Sequence, residues 1–433
     1  MVNSKVKSIN EYTRELKISF SWDDVKSDFN NNLKKFSKKI KMPGFRPGKI
    51  PADRLLQQFK PNLEADFIDN YLNRYYLIAL KELDLKPVNQ AEINDLNFQM
   101  ESELSFSAKF EIEPMNKLPS FKSNMIEVQQ NRYLHDSKDI DDAIAQLKRS
   151  HARIETIDSG AEEGDFVVCS LQKLDESGLP IIGKKYDKQY LKVGAGSFTD
   201  DQKEKLIGIK PNEKTRLTLP VKKNGEKAEY EVVVDSVDRE VLPDLDIKFI
   251  KMVNPDLDSI EALKNDVEEK IKSNFEERSK NSFEQELIDK IIEKVNPICA
   301  PSMVDNYLDN IVKDLKDQNK TAGINASDDE IRNQYRKTAE KNIKWYSIRN
   351  LIIDQEKISA DANHINLEID KLVKNSPDSE KQIRKFYKKP SNRKKIEDSI
   401  IENKILDYLK NFIKVKIVEV DTKDLRNEGQ NNE

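Results

Sequence analysis

Cysteine, histidine, glycine and long apolar runs are all scarce in this sequence. Its two cysteines, Cys169 and Cys299, stand far apart, which argues against a disulfide framework and fits a reducing compartment. The three histidines, His135, His151 and His364, have no cysteine or carboxylate grouping at ligand spacing, so no metal is expected. No stretch approaches the roughly 18 apolar residues of a membrane span. The start, Met1-Val2-Asn3-Ser4-Lys5, leads into an alternating polar segment with no apolar signal core. A cytoplasmic protein with no membrane partner is therefore expected. No glycine-rich phosphate loop ending in Gly-Lys-Ser or Gly-Lys-Thr occurs, so no nucleotide cofactor is expected either.

What is abundant is charge. Charged residues make up 35% of the 433 residues and apolar residues only 37%, against a usual charged share of about a quarter. Apolar residues still recur at regular spacing, so the composition describes an elongated, helix-rich, well-solvated fold and not a disordered chain. The length calls for two to four domains.

Read in order, residues 1–113 form an α+β unit. Leu16, Ile18 and Phe20 alternate as a half-buried strand does, and Leu104, Phe106, Ala108, Phe110 and Ile112 repeat the pattern. Between them a helix from about Trp22 ends at Pro43 and Gly44, Pro51 opens the next helix, and a further helical stretch runs to about Leu83. Residues 114–156 read as an extended connector followed by one helix. Residues 157–243 hold eight of the twelve glycines, with short strand-like runs between them, so a small antiparallel sheet domain is expected. Residues 244–421 are almost free of glycine and predict long helices, one opened by the capping box Ser327-Asp328-Asp329-Glu330. The strand-like Val415–Val420 closes this part, and 422–433 reads as a disordered tail.

The sharpest local feature lies between Lys34 and Arg54. Lys34, Lys35, Lys38, Lys39, Lys41, Arg46, Lys49 and Arg54 face one acid, Asp53, giving +7 in 21 residues on a chain whose total is −4. The remainder therefore carries −11. Such a patch is an electrostatic footprint for phosphate, most economically RNA. It is equally what a solvated lysine-rich helix face looks like. Within it, two glycines and two prolines set a tight turn around Phe45, a phenylalanine that is difficult to bury at home.

The segment Gly44-Phe45-Arg46-Pro47-Gly48-Lys49-Ile50-Pro51 resembles the Gly-Phe-Arg-x-Gly-Lys-x-Pro loop of bacterial trigger factors, set as in that family between two helices near the N-terminus. The resemblance extends over essentially the whole chain. It implies an α+β multidomain fold: an N-terminal ribosome-binding domain, a connector, a small FKBP-like β domain and an elongated all-α C-terminal chaperone domain. It further implies that Phe45 and Arg46 contact protein and RNA of the large ribosomal subunit near the exit tunnel. Gly44 and Gly48 would shape the turn, Pro47 would stiffen it, and Lys49 with the preceding lysines would add phosphate contact. Nascent and unfolded polypeptides are the implied clients, and the family allows a homodimer away from the ribosome.

The middle segment departs from the family. FKBP-type sites lower the barrier to prolyl isomerisation by holding the amide in an aromatic pocket. Family members follow the first strand with Phe-x-Gly and later present Ile-Pro-Gly-aromatic. Here those places read Ser170-Leu171-Gln172-Lys173 and Ser197-Phe198-Thr199-Asp200-Asp201. The fold is expected to survive with an eroded pocket, for which Phe166, Tyr190 and Phe198 are the weak candidates. Three functional classes follow, led by a ribosome-associated holdase. The others are a prolyl isomerase and a general RNA-binding module.

Overall fold

The computed structural model describes residues 3–46, 48–196, 198, 200–220, 227–322 and 327–430. Pro47, Ser197 and Thr199, singled out in the sequence, lie outside the described residues. The chain divides into two compact units, Met1–Gln129 with Phe283–Lys416 and Gln130–Ser282 with Ile417–Glu433.

The first unit opens with strands β1 (Asn3–Ser8) and β2 (Thr13–Phe20), helices α1 (Trp22–Lys39) and α2 (Ala52–Glu82), and strands β3 (Glu92–Phe98) and β4 (Leu104–Glu111). The strands form an antiparallel sheet in the order β1-β2-β4-β3. In the β2–β4 register Leu16 faces Ala108, Ile18 faces Phe106 and Phe20 faces Leu104. All six are buried, so one face of the sheet is apolar along its length, as the period of two requires. The two helices cover that face with Val25, Phe29, Leu63, Phe67, Tyr71 and Tyr75. Aromatic rings knit the layer. Phe29 meets Phe67 edge-on at 5.4 Å, and Phe67 stacks on Tyr71 at 5.1 Å. Each such pair contributes about 0.5–1.5 kcal/mol beyond its buried area.

Helix α2 is kinked where the sequence breaks it. Phe59 leaves the helical region at φ −128° and ψ 18°, two residues before Pro61. Proline clashes with the preceding turn and lacks the N–H that would continue the ladder.

Next come β5 (Ile126–Leu134), α3 (Ser137–Ser150) and β6 (Arg153–Ile157). The middle strands follow: β7 (Phe166–Leu174), β8 (Pro180–Lys192), the short helix α4 (Asp200–Leu206), β9 (Lys214–Pro220) and β10 (Lys227–Val241). They build a five-stranded antiparallel sheet in the order β6-β10-β7-β8, with β9 also on β10. Its core is Val167, Cys169, Leu191, Leu217, Val232 and Val234, covered by Leu206 and Ile209.

The rest is helical: α5 (Ile247–Val253), α6 (Ile260–Val295), α7 (Pro301–Ala322), α8 (Asp328–Glu356), α9 (Ala362–Asn375), α10 (Glu380–Phe386) and α11 (Pro390–Lys410). The capping box expected at Ser327 is formed. Ser327 N–H donates to Glu330 Oε2 at 2.9 Å, and Glu330 N–H to Ser327 Oγ at 3.3 Å. Within the first unit α7 is tied back to the N-terminal layer. Ser302 N–H donates to Glu111 Oε2 at 3.0 Å, and Asn306 Nδ2 to the Val88 carbonyl at 2.8 Å.

Strand β11 (Ile413–Asp421) pairs with β5. The expected disordered tail requires correction, because Thr422–Gln430 forms a further helix, α12. Its hold is polar. Thr422 is buried, its one hydroxyl proton within reach of Asp139 Oδ2 at 2.6 Å and the Leu134 carbonyl at 3.0 Å, while Arg426 pairs with both Asp136 and Asp139.

Candidate functional site

The loop between α1 and α2 is built from two successive turns. Phe45 N–H donates to the Met42 carbonyl at 3.1 Å, with Pro43 and Gly44 between them and Gly44 at φ +86°. Proline followed by a residue of positive φ is the pattern a type II turn uses. Lys49 N–H then donates to the Arg46 carbonyl at 2.9 Å, with Gly48 at φ +77°. The base is closed by Gly48 N–H on the Ser37 carbonyl at 2.9 Å. Just beyond the second turn Ile50 is buried, and Pro51 caps α2, accepting from the Arg54 and Leu55 amides. Phe45 and Arg46 stand where the two turns meet. Phe45 is 40% exposed and Arg46 is exposed.

All eight basic residues of this stretch, Lys34, Lys35, Lys38, Lys39, Lys41, Arg46, Lys49 and Arg54, are exposed. Lys39 pairs with Asp66 at 3.1 Å, and Lys35 sits 5.9 Å over the Tyr71 ring. Among the described residues no carboxylate pairs with the other six, so most of the positive charge is open to a ligand. Below the loop the two helices are joined by polar links. Asn32 Nδ2 donates to Asp66 Oδ2 at 2.9 Å, and Asp28 accepts from Arg74 and from the Tyr75 hydroxyl, both at 2.9 Å. Burial, and donation to the Asp28 carboxylate, hold the Tyr75 hydroxyl above its ordinary pKa. Its bond to Asp28 links α2 to α1. The loop is thus an exposed aromatic tip in a cationic field, carried between two helices joined by polar links.

In the middle domain the three aromatic candidates do not converge. Across β7 and β8, Phe166 faces Lys192 and Val168 faces Tyr190, whereas Val167 faces Leu191. Side chains alternate faces along a strand, so Phe166 and Tyr190 share the face opposite the buried Val167, Cys169 and Leu191. Phe198 packs against that buried cluster instead. The Lys192 ammonium lies 5.0 Å over the Phe166 ring, and Tyr190 is 66% exposed. A pocket made by Phe166, Tyr190 and Phe198 together is therefore not what the sheet builds. The aromatic pair on the inner face is Tyr186 with Tyr230, at 6.5 Å. Neither tyrosine carried a signal beyond its residue type. Cys169 offers no nucleophile, since burial pushes its thiol up to about 12, aided by the charge of Asp235.

The domain is closed at the start of β7 by Asp165, which is buried. It accepts from Arg239 Nε at 2.9 Å, Arg239 Nη2 at 2.7 Å and the Glu162 amide at 2.8 Å. Burial pushes its carboxyl up, but these donors and the guanidinium charge outweigh it and hold it below the usual carboxylate range.

Comparison with known families decides the identity. Residues 2–147 match the family model described as bacterial trigger factor protein, and residues 259–411 match that of the bacterial trigger factor C-terminus, together more than half of the chain. The chain belongs to the trigger factor family. The loop lies inside the first matched stretch and helices α7–α11 inside the second. The trigger factor of Natranaerobius thermophilus is 28% identical over 438 residues, covering 96% of this chain and 97% of that one. That of Salinibacter ruber is 25% identical over 423 residues, covering 91% and 90%. A solved structure of the trigger factor chaperone aligns with 94% of this chain and 98% of its own, at 20% identity and a TM-score of 0.47. Among the described residues no helix is long and apolar enough to cross a membrane.

Proposed function

We propose that this trigger factor is an ATP-independent holdase that docks on the large ribosomal subunit through Gly44–Lys49 and shields emerging and unfolded polypeptides. The observation that carries the reading is Phe45. A 40% exposed phenylalanine held at the junction of two turns, beside exposed cations of which, among the described residues, only Lys39 has an acidic partner, is a surface awaiting a partner. Its chemistry selects that partner: apolar contact for the ring, and bidentate phosphate or carboxylate pairing for Arg46. In this proposal residues 157–243 act as a folded spacer domain with little or no isomerase activity.

Binding to isolated large subunits, measured beside free ribosomal RNA at several salt concentrations, tests it. Saturable binding to subunits, tighter than to RNA at the same salt, supports docking. Equal salt-sensitive binding to any RNA would instead make the chain a general RNA-binding protein.

A further inference from the structure

The middle-domain strand β8 is unusual in exposing almost everything it carries. It forms one end of its sheet, and among the described residues no strand pairs with its outer edge. Ile182 is 99% exposed, Tyr186 and Tyr190 are exposed as well, and so is Leu179 in the turn just before the strand. An edge strand of thirteen residues with aliphatic and aromatic side chains in water is a template for another chain, unless something restricts the partner.

The restriction here is charge and shape. Lys184, Lys185, Lys188 and Lys192 accompany one acid, Asp187, within nine residues. Asp187 is taken by Lys185 at 2.8 Å, and among the described residues Lys184 and Lys188 have no carboxylate partner. The register with β7 shifts twice along β8, around Gly183 (φ +77°) and Lys188 (φ +51°). Bulges of this kind bend an edge and shorten the run that can be paired, leaving Gln189–Lys192 as the longest regular piece. A second copy of the same strand would bring its own excess of lysine. In an antiparallel register centred on Tyr186, Lys184 of one copy meets Lys188 of the other while Lys185 meets Asp187, so the excess positive charge and the two bulges together, not this register alone, work against self-pairing.

We propose that β8 is a docking edge for short extended polypeptide segments in which acidic residues alternate with apolar ones. The free edge supplies main-chain hydrogen bonds, Ile182, Tyr186 and Tyr190 supply apolar contact, and the lysines select the charge. Single-stranded RNA would use the lysines and tyrosines, but it has no use for the free backbone edge or for Leu179 and Ile182. The inference rests on the chaperone reading only for the supply of unfolded segments. Strand β8 and the loop at Gly44–Lys49 belong to different compact units.

The test is fluorescence anisotropy on the full chain without ribosomes. The probes are a labelled peptide alternating glutamate with valine, its lysine-for-glutamate counterpart, the acidic peptide N-methylated at alternate amides, and oligouridylate RNA. The wild type is expected to bind the acidic peptide about tenfold more tightly than the basic one, and N-methylation is expected to remove most of that affinity. The double variant Lys184→Glu/Lys188→Glu should invert the preference with an unchanged circular dichroism spectrum, both lysines being exposed. Equal peptide binding by wild type and variant overturns the proposal. So does RNA binding that the reversal abolishes while peptide binding stays weak. Ribosome co-sedimentation of this variant should match wild type, so loss of docking and loss of peptide binding report on different claims.

Discussion

The Gly48 amide donates to the Ser37 carbonyl at 2.9 Å, returning the loop onto the last turn of α1. Gly48 sits at φ +77°, and a Cβ added there would stand 3.2 Å from the Lys38 Cγ, whereas Gly44 at φ +86° has open space around it. Each glycine therefore spares the chain a left-handed residue with a side chain, worth about 1–2 kcal/mol. Only Gly48 also guards a close approach. Gly48→Ala is expected to weaken subunit binding more than Gly44→Ala. The reverse order in a binding titration would show that the contact with Lys38 does not shape the tip.

The cations predict a graded salt dependence. Each lysine that meets a phosphate contributes roughly one to the slope of log affinity against log salt. Lys38→Gln and Lys41→Gln should lower that slope, as neither has an acidic partner among the described residues. Lys39→Gln should lower it less, because the Lys39 ammonium already pairs with Asp66. Equal effects at all three positions would mean that the Asp66 pair opens freely on binding.

The divergence of Phe166 and Tyr190 from Phe198 predicts weak catalysis or none. Prolyl isomerisation crosses a barrier of about 20 kcal/mol, and three rings split between two faces of the sheet do not enclose an amide to lower it. The full chain should leave the slow phase of a proline-limited refolding substrate unchanged. A clear acceleration, lost in Phe198→Ala, would restore the isomerase reading.

Asp165 supplies a pH test of the middle domain. Its folded pKa lies below the ordinary carboxylate value, so it contributes stability above its unfolded pKa and loses it as pH falls through the folded one. In Arg239→Met the carboxyl loses the cation and two of its three donors, so its folded pKa rises toward the unfolded value and the stability it adds above that value shrinks. The gap in Tm between wild type and variant should close as pH falls below about 4, through the wild type's folded pKa. A gap independent of pH would mean that the pair acts through packing alone.

Much of this architecture was readable from residue order. The alternation at Leu16–Phe20 and Leu104–Ile112, the helix from Trp22, the helix start at Pro51 and the cap at Ser327 each have a local cause, and each appears where that cause lies. Strands β1 and β3 escaped notice because Asn3–Ser8 and Glu92–Phe98 are mostly exposed edge strands with little apolar alternation. Helix α12 escaped because its polar residues gain their hold from Asp136 and Asp139, nearly three hundred positions away. The tip at Phe45 could be read because turn chemistry is local. The aromatic pocket could not, because which face a residue takes depends on strand register, and register is settled between strands.

The most direct measurement is ribosome co-sedimentation of Phe45→Ala/Arg46→Ala beside wild type. Both side chains are exposed, so the variant should fold with an unchanged circular dichroism spectrum. Its affinity for large subunits should drop by about tenfold or more, in line with loss of a central aromatic–arginine anchor. A double variant that sediments with the subunits as wild type does would contradict the docking role of the loop.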